Sequence, residues 1–183
     1  MIHKFSTTSL LILVSAIWIT ACKKNNAPPV NEEELITSVT LTFVDETDGT
    51  AVTFAFRDPD GEGGNPPTQF DEIELKAGRF YQCSIALQNE SLSPAKDITE
   101  EVEEESADHQ FYYILSGVST IVSNLDTDTN GLPLGIHSTW DAGSASSGTV
   151  KIVLKHKPGE KAAGDPVSKG ETDIELDFAI TIN

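Results

Sequence analysis

The chain is poor in basic residues, in cysteine and in helical periodicity, and each shortage removes a class of function. Only 12 Lys+Arg stand against 29 Asp+Glu, a formal net charge of −17. That charge repels phosphate backbones, which excludes a nucleic-acid partner. An acidic surface attracts cations or basic partners where its carboxylates converge, and elsewhere serves solubility. There are two cysteines, Cys22 and Cys83. If Cys22 is modified, Cys83 has no partner in the chain, so no internal disulfide is expected. The sequence also lacks a G-x-S-x-G elbow, a Walker loop, an H-E-x-x-H pair and a dinucleotide glycine fingerprint. The Ser/Gly-rich stretch 143–148 has no base placed by motif, and abundant acids do not by themselves mark a glycosidase pair. The expectation is a binding protein, not an enzyme.

Long apolar runs are missing as well. Lys4 precedes the run Leu10 to Ile19, which is too short to span a bilayer permanently and has the layout of a secretory signal peptide. It ends in Ile19-Thr20-Ala21-Cys22, which resembles a lipobox. The resemblance implies that residues 1–21 are removed and that Cys22 carries the lipid. Residues 22–34 contain Pro28-Pro29, are polar and show no periodicity, so they read as a tether that could reach on the order of 40 Å. Lys23-Lys24 after the cysteine resembles the outer-membrane class of lipoprotein and implies a membrane partner through the lipid. Which leaflet it faces stays open.

From residue 35 to 183 the dominant period is two, which argues strands with one buried face. Val39, Leu41 and Phe43 alternate with polar residues, as do Phe54 and Phe56, Ile73 and Leu75, and Tyr81, Cys83, Ile85 and Leu87. Cys83 therefore reads as an inert core thiol. The pattern continues through residues 110–115 and 118–125, joined at Ser116-Gly117 as an expected hairpin. It then passes through 136–140, 150–155 and 174–182, where Asp173, Glu175 and Asp177 read as outward-facing. Nine strands with almost no helical pattern predict an all-β, antiparallel immunoglobulin-like sandwich, with a barrel as runner-up. A helix of about ten residues is expected after Asp97, with Asp97 and Glu100 as a capping box and Ile98 and Val102 on one face.

Antiparallel succession sorts the connections by end. The long ones, at about 58–69, 89–108, 126–135 and 157–171, collect at one end, together with His109, His137 and His156. Binding is expected there. Asp126-Thr127-Asp128-Thr129-Asn130-Gly131 offers oxygens at alternate positions and a glycine at the sixth, a pattern suited to calcium. The twelfth position is His137 where an EF-hand loop has glutamate, so any cage is a looser one, finished by Asp141 or an acid from a neighbouring loop; the alternative is a surface loop rich in Asx turns. Asp58 and Asp60, in a Gly-rich stretch, are candidate helpers.

Residues 97–108 hold seven acids in twelve. On a helix, Glu101, Glu105 and His109 share a face, and zinc or copper could be held there with His137 or His156. Three functions follow: calcium binding by the Asp-rich loops, transition-metal or haem capture by the histidines, or recognition of an envelope protein or glycan without metal. Trp140, Tyr112 and Tyr113 read as packing, not as a sugar platform.

The stretches RDPDGEGGN, DITEEVEEESADHQFYY, DTDTNGLPLG and GETDIELDFAI together resemble small uncharacterised lipoproteins of the Bacteroidota over nearly the whole mature chain. Such proteins often carry the label type 1 periplasmic binding fold, which needs two lobes of alternating strand and helix, whereas the pattern here has at most one short helix. The resemblance implies compartment and lineage and carries no ligand or site residue.

Overall fold

In the computed structural model, residues 34–61 and 63–183 are described; the lipobox, Cys22 and the tether through residue 33 lie outside them. Among the described residues, eleven strand segments and one helix follow one another. They are β1 (Ser38–Asp45), β2 (Ala51–Arg57), β3 (Gln69–Phe70), β4 (Ile73–Leu75), β5 (Arg79–Asn89), β6 (Lys96–Asp97), α1 (Thr99–Glu104), β7 (His109–Ser116), β8 (Thr120–Ser123), β9 (His137–Ala142), β10 (Ser146–His156) and β11 (Glu171–Ile182). Nine of these strands match the alternating runs of the sequence. The other two, β3 and β6, are two-residue additions too short to carry a period.

The strands form two sheets. One runs β3-β2-β1-β5-β9-β8, with β6 on the end of β5; the other runs β4-β11-β10-β7. All pairings are antiparallel except β4 with β11. The result is a two-sheet, all-β sandwich. Its core is what period two dictates: Val39, Leu41, Phe43, Cys83, Ile85 and Leu87 from one sheet face Phe111, Val150, Ile152, Leu154, Phe178 and Ile180 from the other. Trp140 is fully buried and meets Phe43 edge-on at 5.0 Å and Tyr113 at 5.7 Å, so it ties the two sheets together. Truncating a buried aromatic of this kind costs about 3–5 kcal/mol. Cys83 is a core residue, and burial, only partly opposed by Ser138, pushes its thiol up to about 12.

Two local expectations change. Residues 110–115 and 118–125 form no hairpin: β7 pairs with β10, and β8 pairs with β9 in the other sheet. The turn at Gly117 (φ 77°) carries the chain across the sandwich. It fits because residue 148 is glycine, where a Cβ would stand 2.1 Å from the Ser116 carbonyl oxygen. The helix is six residues long, not ten. Val102 within it and Ile98 just before it are buried, as the spacing requires, and the Asp97 carboxylate accepts the Thr99 N–H at 2.8 Å. The N-cap position is Ile98, which has no side-chain cap, so the reciprocal capping box is absent.

Candidate functional site: a histidine and carboxylate corner

His109 opens β7 and His156 closes β10, and the antiparallel register places them directly opposite each other. Cross-strand neighbours on one face of a sheet lie side by side. Here the two imidazoles stack with centroids 4.5 Å apart and planes 8° from parallel. Glu105, just after α1, brings a third donor: one ligand atom each from Glu105, His109 and His156 lie within 4.8 Å of one another.

The tautomer of His109 follows from its partner. Its Nδ1 lies 3.2 Å from the Glu105 carbonyl oxygen, which can only accept, so Nδ1 carries the hydrogen. Nε2 is left with a lone pair, buried and without a hydrogen-bond partner. His109 is 1% exposed. Burial first, then the neighbouring His156, lowers its pKa from 6.5 to about 4, so it is neutral near pH 7. Asp173 Oδ2 lies 3.7 Å from Nε2, on a side chain 1% exposed.

Asp173 was expected to face outward. The β10–β11 register shifts between Leu154, opposite Ile174, and Lys155, opposite Thr172, which leaves Asp173 as the extra residue. Such a bulge re-aims a side chain, and here it turns Asp173 toward His109. Nothing in the sequence marks the bulge beyond polar residues at 171–173 preceding the alternation. Glu34 is the second carboxylate that sequence reasoning missed. Burial, then repulsion from Glu101, Asp173 and Glu105, pushes its carboxyl up to about 7.

The Asp-rich loop is built differently. Gly131 makes the sharp turn (φ 77°), and its N–H donates to the Asp128 carbonyl at 3.0 Å. Asp128 Oδ1 accepts the N–H groups of Asn130 and Leu132 at 2.8 and 2.9 Å; Asp126 Oδ1 accepts those of Gly135 and His137, both at 2.9 Å. These carboxylates shape the loop as Asx-type acceptors. The remaining oxygen of Asp128 faces the Lys161 ammonium at 2.9 Å, with both side chains buried. Burial alone would raise the Asp128 carboxyl, but Lys161 and the two N–H groups outweigh it and hold it below the ordinary range. Lys161 also donates to the Ser106 carbonyl at 2.7 Å. The chain's own ammonium stands where calcium was expected.

The other candidates separate. Asp60 accepts both the backbone and the side-chain N–H of Asn65, at 2.9 and 2.7 Å. Asp58 is buried and lines a cleft with Glu34 and Asp173, not with the Asp126 loop. Glu101 pairs with Lys96 at 2.7 Å. His137 is exposed on β9 opposite Ser84, and Asp141 lies within β9 opposite Phe80, so neither joins a cage. Of the five residues proposed for a transition metal, three converge. Zinc bonds nitrogen and carboxylate oxygen at about 2.0–2.2 Å, which sets tetrahedral ligand atoms about 3.3 Å apart, so the three atoms, which lie within 4.8 Å of one another, would have to draw closer to hold it. The His109 Nδ1–H bond to a carbonyl is the outer-shell contact that orients a ligating histidine. A haem would need a flat apolar slot against Nε2, where the Asp173 carboxylate stands. No protein-family model, curated protein or solved structure matches the chain.

Proposed function

We propose that the protein is a lipid-anchored β-sandwich of the outer membrane that binds a transition-metal ion of the zinc or copper class through His109 Nε2, His156 and the Glu105 carboxylate. The observations that carry the reading are the grouping of Glu105, His109 and His156 and, on His109, a buried Nε2 with no hydrogen-bond partner among the described residues, its ring oriented by the other nitrogen. Buried polar atoms are ordinarily satisfied, so an exception of this kind calls for a ligand. Two imidazoles and a carboxylate form a donor set suited to zinc or copper and poorly suited to calcium, which takes oxygen. The anchor rests on Lys4, the apolar run and Cys22, and on the resemblance to Bacteroidota lipoproteins.

Titration calorimetry with zinc tests the reading. The wild type is expected to bind one zinc, and at 100 times the dissociation constant the ion adds about 2.7 kcal/mol, or about 5–10 °C in the unfolding midpoint. His109→Ala with His156→Ala is expected to abolish binding, whereas Asp126→Ala with Asp128→Ala leaves it in place. The opposite pattern, with calcium as the ligand, would return the site to the Asp-rich loop.

A further inference from the structure

The bulged β11 edge has a second side. Beside the histidine corner opens a cleft of about 710 Å³ that takes in Glu34, Asp58 and Asp173. Its lining is mixed, with acidic and polar groups beside an apolar side formed by Leu35, Phe56 and Ile174. Asp58 is only 8% exposed and, among the described residues, its Oδ1 has no hydrogen-bond partner; Glu34 Oε2 is likewise buried without one. Among the described residues no lysine or arginine nitrogen comes within 4.0 Å of the Glu34 or Asp58 carboxylate, and Lys96 acts on Glu34 only from farther off. Carboxylate oxygens left without donors are costly unless a cation or donor meets them. Neither oxygen belongs to the Glu105, His109 and His156 group, so the metal ion does not account for them.

The geometry points to a second ligand site in this cleft, for a small organic cation: a primary alkylammonium whose head meets Glu34 and Asp58 and whose stem lies along Leu35, Phe56 and Ile174. A hydrated metal ion would use the acids and leave the apolar walls idle. An ammonium offers three donors on a compact charge, and its alkyl stem can cover the walls. The volume lies within the range of small-molecule clefts. This inference does not depend on the metal reading.

The probe is n-hexylamine, with hexanol as the uncharged control, followed by titration calorimetry on the purified protein. Hexylamine is expected to bind at one site and hexanol at least tenfold more weakly. Asp58→Asn and Glu34→Gln, each nearly isosteric, are expected to weaken hexylamine at least tenfold while zinc affinity stays within about twofold. In the His109→Ala, His156→Ala variant hexylamine binding is retained. Equal binding of hexanol and hexylamine, or amine binding indifferent to both Asp58→Asn and Glu34→Gln, overturns the proposal. So does one-for-one displacement of hexylamine by zinc in the histidine-free variant, which would make the cleft a metal site. Because the hexylamine and hexanol contrast is read on the wild type, a variant that fails to fold leaves the proposal testable.

Discussion

Two acidic regions at the same end of the sandwich find their counter-charge in opposite ways. The Asp126–Gly131 loop is neutralised from within: Lys161 reaches across from the loop between β10 and β11 and pairs with Asp128 in a buried contact. Lys157 from the same loop is buried against Gln110 and Asp165. The corner around Glu105, His109, His156 and Asp173 has carboxylates and two imidazoles but, among the described residues, no ion pair from lysine or arginine to Glu105. The calcium-like spacing of Asp126, Asp128 and Asn130 therefore falls in the region that carries its own buried cation. What decides is where the lysines of a distant loop fall, and that is a property of the fold.

The largest effect is expected from breaking the histidine side of this contrast. His109→Ala is expected to weaken zinc by at least about 100-fold, beyond the loss typical of removing an outer-shell partner. The next is to break the other side. Lys161→Met leaves the Asp128 carboxylate buried with only its two N–H donors, and removing one member of a buried pair costs about 3–5 kcal/mol; the retained donors place the loss near about 3 kcal/mol. Urea unfolding measures it. Millimolar calcium is expected to recover part of that loss in the variant and to do nothing for the wild type, because only the variant has lost its internal cation.

A smaller effect separates Glu34 from His109 by pH in the metal-free protein. The lowered pKa of His109 means that the unfolded chain takes up its proton first, so this contribution is complete above about pH 6.5 and is lost toward pH 4. The raised pKa of Glu34 acts the other way: stability falls as pH rises from 4.5 to about 7. The two slopes oppose each other between pH 4.5 and 6.5. Glu34→Gln is expected to raise the unfolding midpoint at pH 7.5, to leave it unchanged at pH 4, and to steepen the acid-side loss. The smallest effect is that of His137→Ala, which is exposed and outside the corner and should leave zinc affinity within about twofold.

Period two made the sandwich and the core legible, because alternation is a local property that survives folding: Val39, Leu41 and Phe43 point inward in the sequence pattern and in the structure alike. The convergence of Glu105, His109 and His156 was partly visible, since antiparallel succession put both histidines at one end. What could not be read was anything that needed register. The bulge that turns Asp173 inward shifts pairing by a single residue within an otherwise regular strand. The false hairpin at Gly117 has the same origin, because a tight turn between two alternating runs looks alike whether the strands pair or part into separate sheets. Glu34 stands just before the first alternating run, and the acids whose repulsion adds to burial in raising its pKa, Glu101, Asp173 and Glu105, come from distant stretches of chain.

The most direct test is an anomalous difference map at the zinc absorption edge from crystals of the protein grown with zinc. The account predicts one dominant peak about 2 Å from His109 Nε2 and from a His156 ring nitrogen. A dominant peak in the Asp126–Gly131 loop or on His137, or no peak at the corner with zinc in excess, would contradict it.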